Sequence, residues 1–422
     1  MTQQSNENKI PKHWQIKKLG EVCTYSKGKK PTVLSADKNT ECTIPYINIK
    51  AFEKGVFDEY TDGNKCNLCE DNDLLMVWDG ARCGLIGKAR KGAVGSTLMK
   101  ILPKENIHKE YLYHFINSKF TILNTKPKGV GIPHIEPTLL WNFELLLPPL
   151  PEQLAIVSKI EELLSDLENG KKQLLSAQQQ LKVYRQSLLK AAFEGKLTSN
   201  LSSASLREQK EGELPEGWKW VTIADLAENN KHALKAGPFG SALKKEFYVE
   251  TGYKIYGQEQ VIIDNPYFGD YFIDEEKYQE LKSCRIKPFD ILISLVGTVG
   301  KVLILPENCM DGIINPRLIK ISLNRQKYLP KFFKYYFESS SVKAHYKSQA
   351  QGTTMDVLNL GIIKKIPFPL TTLEEQQKVV DELESKLTVC DKIEETISQS
   401  LLQAEALKQS ILKKAFEEKL LN

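Results

Sequence analysis

The sequence predicts an α+β protein: two mixed α/β globular domains separated by two long helices paired as an antiparallel coiled coil, built as a pseudo-two-fold tandem duplication. Three observations predict it. First, LKAAFEGKL at 189–197 recurs as LKKAFEEKL at 412–420 with seven of nine positions identical, and self-similarity at a fixed offset is the mark of a repeated unit. Second, each copy closes a long stretch almost free of proline and glycine whose apolar residues recur every three or four positions, as a helix with a sustained seam requires. Third, each is preceded by roughly 150 residues in which β-branched runs alternate with Gly, Pro, Asn and Asp turns.

The offset of 223 also aligns Glu152 and Gln153 with Glu375 and Gln376, and Gly129 with Gly352, and it holds without a gap over 128–197 against 351–420. Upstream the offset drifts. Pro11 and Trp14 match Pro215 and Trp218, Asp73 and Gly80 match Asp290 and Gly297, and Gly87-Lys88 is matched with Gly300-Lys301. Drifting offsets mean insertions and deletions, which collect in loops. The chain is therefore divided into a first globular domain over 1–150, a first helix over 151–197, a polar linker over 198–213, a second globular domain over 214–370 and a second helix over 371–422.

In the globular parts, strands are expected at 44–49, 74–78, 98–102, 254–256, 291–296, 301–305 and 317–323, and aromatic-rich helices at 109–118 and 330–340. Pro148, Pro149 and Pro151 stop a strand and open the first long helix. Its seam is Ile156, Ile160, Leu163, Leu167, Gly170, Leu174, Ala177, Leu181, Tyr184, Leu188 and Ala191; the second copy continues the register at Ile393, Ile397, Ser400, Ala404, Leu407 and Ile411. Helices of about 44 residues would each run ~65 Å. Charge selects their direction. Residues 152–170 carry five acids against one base and 171–197 six bases against one acid, while 374–395 carry eight acids against three bases. Antiparallel pairing sets acid beside base; parallel pairing would set acid on acid.

Composition excludes several classes. With 41% hydrophobic and 26% charged residues the chain is an ordinary globular protein. No run of about 18 apolar residues offers a membrane span. The polar start MTQQSNENKIPKHW has no apolar core of a secretory signal, and eight irregularly spaced cysteines read as free thiols of a reducing cytoplasm. A net charge of +5 permits an anionic partner without demanding one. No catalytic site is recognisable. Gly87-Lys88 and Gly300-Lys301 lack the spacing and the following Ser or Thr of a phosphate-binding loop, and are expected to be hairpin turns. Asn265-Pro266-Tyr267-Phe268 falls one proline short of an amino-methyltransferase signature, with no Gly-rich donor site beside it, and is expected to be a surface turn. Cys66 and Cys69 are half of a zinc pattern, but the Asp73–Asp290 match puts Ile286 opposite Cys69, so Cys69 is expected in the core; no metal site is assigned. The six histidines show no triad or metal spacing.

In order and duplication, these segments resemble the specificity subunit of type I restriction–modification enzymes. They are PKHWQIKKLGEV (11–22), IPYINIK (44–50), PPLPEQLAIVSKIEELL (148–164) and QSLLKAAFEGKL (186–197) in the first half. In the second half they are LPEGWKWVTIADLA (214–227), KAGPFGSALKKEFY (235–248), YKIYGQEQVI (253–262), DILISLVGTVGKV (290–302), GIINPRLIKI (312–321), PLTTLEEQQKVVDEL (369–383) and QSILKKAFEEKL (409–420). The likeness implies a non-catalytic, DNA-binding subunit. Each globular front would be a target recognition domain for one half of a split, asymmetric double-stranded DNA site, and the helices a spacer that docks two modification (methyltransferase) subunits. Those subunits would methylate adenine with S-adenosylmethionine, and restriction (translocase and nuclease) subunits would use ATP and Mg; this chain would carry no cofactor. DGARCGLIGKA (79–89) departs from the pattern, with four extra residues relative to VGTVGKV. Two diverged readers on one chain should read two different half-sites, about 10 bp apart from centre to centre.

Base edges are read by Arg or Lys on guanine and Asn or Gln on adenine, while phosphate contacts position the protein. On that chemistry the first reader's candidates are Lys27, Lys29, Lys30, Asn48, Lys50, Arg82, Lys88, Lys128 and His134. The second reader's are Lys235, Ser241, Lys244, Lys245, Gln258, Gln260, Thr298, Lys301, Asn315 and Arg317, with Gln258, Gln260 and Arg317 favoured by the family motifs. Trp14, Trp218, Phe193 and Phe416 read as packing anchors, the two phenylalanines also as docking faces for partners. The competing expectation is a coiled-coil adaptor without sequence-specific DNA recognition; a self-contained methyltransferase is a third, which the missing donor site disfavours.

Overall fold

The prolines at 148, 149 and 151 follow the strand Glu144–Leu147 and open a helix, Leu150–Phe193; its counterpart is Leu373–Phe416. Proline is tolerated in a first turn because its missing N–H would have no partner there. The computed structural model describes residues 11–125, 133–197, 214–239, 241–349 and 358–416. Lys128, the expected linker, the Gly129–Gly352 match and the end of the second repeat motif lie outside them. The described residues fall into two units, one running to Leu175 and resuming at Ser398, the other from Ser176 to Ile397.

Within each unit the helix segments run antiparallel. In the first, Ile156, Val157 and Ile160 share a core with Leu412, Ala415 and Phe416, and Lys171 ion-pairs with Glu405, so residue numbers rise on one helix as they fall on the other. In the second, Arg185 reaches Asp391 at 2.6 Å and Glu394 at 3.1 Å, while Leu188, Ala192 and Phe193 share a core with Val379, Val380 and Leu383. Basic residues of the first helix meet the acidic start of the second, as the charge pattern predicts. The seam is narrower than expected. Ile397, Ala404 and Ile411 are buried, but Tyr184, Ile393 and Leu407 are exposed. On the second helix the buried residues repeat every seven positions and the exposed ones fall at the other seam position, so one of the two apolar positions is covered and the other faces outward.

The two globular parts are built alike. In the first unit an antiparallel sheet has the strand order Cys23–Lys27, Leu98–Pro103, Leu74–Val77, Ile86–Lys88; in the second it is Leu234–Ala236, Leu318–Ile321, Ile291–Ser294, Val302–Ile304. Beside each, Ile44–Ile47 runs parallel to Gly92–Val94, and Tyr253–Tyr256 parallel to Gly312–Ile314. Every expected strand is present. The aromatic helices are Lys109–Ser118 and Pro330–Phe337. The matched aspartates bind alike: Asp73 accepts from the Glu70 amide and pairs with Lys100 at 2.6 Å, and Asp290 accepts from the Lys287 amide at 2.9 Å and faces Lys320 at 3.8 Å. Cys69 and Ile286 are both buried, as their match requires.

Two expectations are corrected. Gly300-Lys301 does close a turn, with Gly300 at φ +77°, but Gly87-Lys88 lies within a strand. Hydrogen bonds identify the true equivalent. The Gly84 amide donates to Val77 O as the Gly300 amide donates to Ser294 O, and the Val77 amide donates to Leu85 O as the Ser294 amide does to Lys301 O. Gly84-Leu85 is therefore the counterpart of Gly300-Lys301, and the first turn is longer by one residue, not four. The second correction concerns the phenylalanines. Phe193 is buried edge-on against Phe332 and Tyr336, with ring centroids 5.1 and 5.0 Å away, and Phe416 against Tyr111 and Phe115 at 5.2 and 5.4 Å. They are packing anchors, as are Trp218 beside Phe332 and Trp14, whose Nε1 donates to Glu152 at 2.8 Å; rings turned inward are not docking faces. Phe193→Ala and Phe416→Ala should each cost about 3–5 kcal/mol, read as a fall in denaturation midpoint.

Among the described residues no helix is long and apolar enough to cross a membrane. The Asn265-Pro266-Tyr267-Phe268 segment is a surface turn in which Asn265 Oδ1 accepts from the Tyr267 amide at 3.0 Å.

Candidate nucleic-acid interface

In each unit, segments leaving the two sheets are tied together at one edge by backbone hydrogen bonds. In the first, the Gly28 amide donates to Leu98 O, Gly95 to Ile47 O, Trp78 to Thr97 O and Ile135 to Trp78 O. In the second, Gly237 donates to Leu318 O, Asn315 to Tyr256 O, Leu295 to Arg317 O and Leu358 to Leu295 O. The two sets match bond for bond. Close approach makes glycine obligatory at the crossing point: a Cβ on Gly28 would lie 2.1 Å from Gly95 O, and one on Gly237 would lie 1.8 Å from Asn315 O. Loops 27–30, 47–50, 78–82 and 95–97 thus share one edge, as do 236–239, 256–258, 295–298 and 315–317.

Most candidates of the first reader lie on or beside this edge, and several are already paired. Lys27 meets Asp79 at 2.9 Å, Lys50 meets Asp58 at 2.5 Å and Arg82 meets Glu53 at 3.0 Å. His134 forms an isolated bridge with Asp79. Lys29 and Lys30 are exposed and have no carboxylate partner among the described residues. Asn48 spends its side chain on structure: Oδ1 accepts from the Ala51 amide at 2.8 Å, capping the helix Ile49–Lys54, and Nδ2 donates to Glu59 at 2.6 Å. Lys88 does not join the edge; it ends a strand and pairs with Glu110 at 2.9 Å.

The second reader holds its cations more loosely. Lys244 pairs with Glu246 at 3.4 Å, whereas Lys235, Lys245, Lys301 and Arg317 have no carboxylate partner among the described residues. Ser241, Thr298 and Arg317 are exposed. Asn315 Oδ1 accepts from the Arg317 amide at 2.9 Å, which fixes where that guanidinium starts. Gln258 donates through Nε2 to Val296 O, leaving its Oε1 unspent. Gln260 must be withdrawn as a base reader. It is 1% exposed; Oε1 accepts from the Gly257 amide at 2.9 Å and Nε2 donates to Phe268 O at 2.7 Å. The family motif favours Gln258 and Gln260 alike, but Gln258–Ile263 is a helix, and residues two apart on a helix point to different sides.

Three features escaped the sequence reading. Phe239, at the position of Lys30 in the matched loop, is 91% exposed; no pattern of alternation marks a solvent-facing phenylalanine. The carboxylates of Glu53, Asp58 and Asp79 stand among the cations of the first edge, where acids are able to accept from the cytosine amino group. Away from both edges, Glu110, His114 and Glu161 gather with ligand atoms all within 4.8 Å of one another. The i, i+4 spacing of the first two is a legible signal; the third comes from another helix.

Comparison with known proteins matches this architecture. The profile of a family described as the type I restriction modification DNA specificity domain matches residues 11–177 and 215–403. The type I restriction enzyme MjaVIII specificity subunit of Methanocaldococcus jannaschii is 26% identical over 389 residues, covering 89% of this chain and 87% of its own. The EcoBI specificity subunit of Escherichia coli is 26% identical over 387 residues, covering 90% and 80%. Among solved structures, a chain from work on complex assembly and conformational transition of the type I R-M system superposes with a TM-score of 0.69 at 19% identity, over 97% of this chain and 98% of the other. The HsdS subunit from Thermoanaerobacter tengcongensis does so with a TM-score of 0.56 at 19% identity, over 98% and 99%. These superpositions speak for the fold.

Proposed function

Because the chain belongs to the type I restriction–modification DNA specificity family, we propose that its two globular parts read the two halves of a split, non-palindromic double-stranded DNA site. It is a DNA-recognition subunit, without catalytic activity of its own, of a type I restriction–modification system, and the adaptor reading falls with that membership. The observation that carries the bipartite reading is one loop frame used twice with different side chains on it. Lys30 stands where the second unit has Phe239, Thr97 where it has Arg317, and Asn48 where it has Gly257. A frame held by the same backbone bonds presents its side chains in the same geometry, so unlike side chains select unlike base words. Lys29, Lys30, Lys235, Lys245 and Lys301 are suited to phosphates, which position the complex without reading sequence.

The chemistry belongs to partners. Two modification subunits, docked along the helices, would bring S-adenosylmethionine and methylate adenine in each strand; restriction subunits would bring ATP and Mg for translocation and cleavage. The test is co-expression with the modification subunit and genome-wide mapping of methyladenine. A two-part, asymmetric motif supports the reading, and a palindromic motif or none refutes it. In the same assay Arg317→Ala should lose about 1–3 kcal/mol of discrimination at one base position, relaxing one half of the motif and leaving the other unchanged. Relaxation in both halves, or in neither, would remove Arg317 from base readout.

A further inference from the structure

The duplication provides an internal comparison for a cluster that DNA reading does not use. In the second unit, Lys331 and Tyr335 on the front helix face Glu384 on the second long helix. Lys331 Nζ lies 2.8 Å from Glu384 Oε1, and the Tyr335 hydroxyl donates to the same oxygen at 3.2 Å. Lysine charge, tyrosine hydroxyl and carboxylate satisfy one another. The correspondence of the two units is set by the amides at the starts of the front helices, His108 and Leu329, which both donate to the clamp glutamines Gln153 and Gln376. Counting from those points, Glu110, His114 and Glu161 occupy the same three places in the first unit.

There the network is open. An acid stands where the second unit has lysine, and an imidazole where it has tyrosine. His114 is 5% exposed, yet neither ring nitrogen has a hydrogen-bond partner among the described residues. Its Nε2 is 4.0 Å from Glu161 Oε1, and the Tyr113 ring packs edge-on beside it at 5.0 Å. Lys88, 2.9 Å from Glu110, balances one of the two carboxylates; no lysine or arginine among the described residues pairs with Glu161. A buried polar group is costly to leave without a partner, and here two carboxylates converge on it.

We propose that Glu110, His114 and Glu161 form a site for a divalent first-row transition cation, with zinc the best match, joining the helix Lys109–Ser118 to the first long helix. One imidazole nitrogen and two carboxylate oxygens are a mixed N/O donor set that zinc accepts, with water as the fourth ligand. Glu110 and His114 share a helix face at i, i+4. Donors around a tetrahedral zinc with bonds of ~2.1 Å sit about 3.4 Å apart, so separations of up to 4.8 Å have to close by up to about 1.4 Å. The Glu161 side chain, 55% exposed, is free to supply most of that movement, and Lys88, itself at the surface, yields Glu110 to the metal. Burial holds the His114 pKa down at about 4, so the imidazole is neutral and its lone pair available at neutral pH.

The test titrates chelator-treated, full-length protein with zinc chloride by calorimetry and follows thermal unfolding. The wild type should show a saturable site and a rise in Tm. Glu161→Gln, a surface change that leaves the fold intact, should weaken that site by at least about tenfold, since even outer-shell changes cost 10–100-fold at metal sites. Placing the second unit's residues here with Glu110→Lys and His114→Tyr together removes two of the three donors and should abolish the zinc response. If the double variant does not fold, Glu161→Gln alone decides. A wild type that takes up no zinc, or a Glu161→Gln protein that binds it with unchanged affinity, overturns the proposal.

Discussion

Gly237→Ala should erase recognition of one half of the DNA site while the rest of the protein folds normally. The added Cβ would lie 1.8 Å from Asn315 O, 2.5 Å from Asn315 C and 3.0 Å from Pro316 Cα. All three are backbone atoms, so no rotamer change relieves the clash. The approach is held on both sides: the Gly237 amide donates to Leu318 O at 2.9 Å, and the Leu318 amide to Asn315 O at 3.2 Å. Overpacking of this kind typically costs about 1–3 kcal/mol, and the strand beneath is buried, so the loops are what must move. Loop 315–317 carries Arg317, and the segment 237–239 carries Phe239. Shifting one against the other misplaces the base-reading groups together, and a loss of 1.4 kcal/mol is about a tenfold loss of affinity. Methyladenine mapping should therefore show the wild-type motif undermethylated by at least about tenfold. Gly28→Ala, whose Cβ would lie 2.1 Å from Gly95 O, should damage the other half alone. Gly170→Ala is the control: it sits in the first long helix with nothing within 4 Å and should stabilise that helix by about 0.5–1 kcal/mol. Wild-type methylation by the Gly237→Ala protein would sink the argument.

What the sequence disclosed and what it hid divide along physical lines. Long-range order was legible wherever it left a periodic or repeated trace. The helices Leu150–Phe193 and Leu373–Phe416 follow from uninterrupted apolar spacing, and their direction from charge that is now visible as Arg185 against Asp391 and Glu394. Gln153 and Gln376, Phe193 and Phe416, and Asp73 and Asp290 were paired by offset, and in the structure each pair makes the same contacts. Local handedness was not legible. Gln260 is favoured for base reading by the family motif because a helix of under two turns leaves no periodicity to detect, and its burial follows from that helix. The match of Gly87-Lys88 with Gly300-Lys301 rested on identity, whereas the turn is defined by backbone bonds that Gly84-Leu85 makes without sharing the lysine. Ion pairs such as Arg82–Glu53 and Lys50–Asp58 depend on how loops fold back, so the sequence overstated the free positive charge of the first reader.

The clamp glutamines should prove the costliest polar residues to remove. Gln376 is fully buried; its Oε1 accepts from the Leu329 amide at 2.8 Å, and its Nε2 donates to Lys327 O and Thr371 O, both at 2.9 Å. Gln153 repeats the pattern on the His108 amide at 2.8 Å, Asn106 O at 3.1 Å and Pro148 O at 2.8 Å. One side chain thus satisfies the first turn of the aromatic helix, the loop before it and the entry to the long helix, three segments that have no direct reason to meet. Leucine would fill the space and leave three backbone groups without partners, each costing about 1–3 kcal/mol before relaxation. Glutamate would keep one acceptor but lose both donors and bury a charge. Gln376→Leu should therefore destabilise the second unit by about 3–5 kcal/mol, in the range reserved for broken buried networks, and Gln153→Leu the first. In urea unfolding followed by tryptophan fluorescence, the affected transition should move to lower denaturant. Because Phe332, Phe333 and Phe337 on the clamped helix form the core beneath the loops, the loss should also reach DNA reading, with methylation of one half-site failing at temperatures where the wild type still works. A cost below about 1 kcal/mol, no more than one ordinary hydrogen bond, would mean that these segments are held by apolar packing and that the matched glutamines are incidental to it.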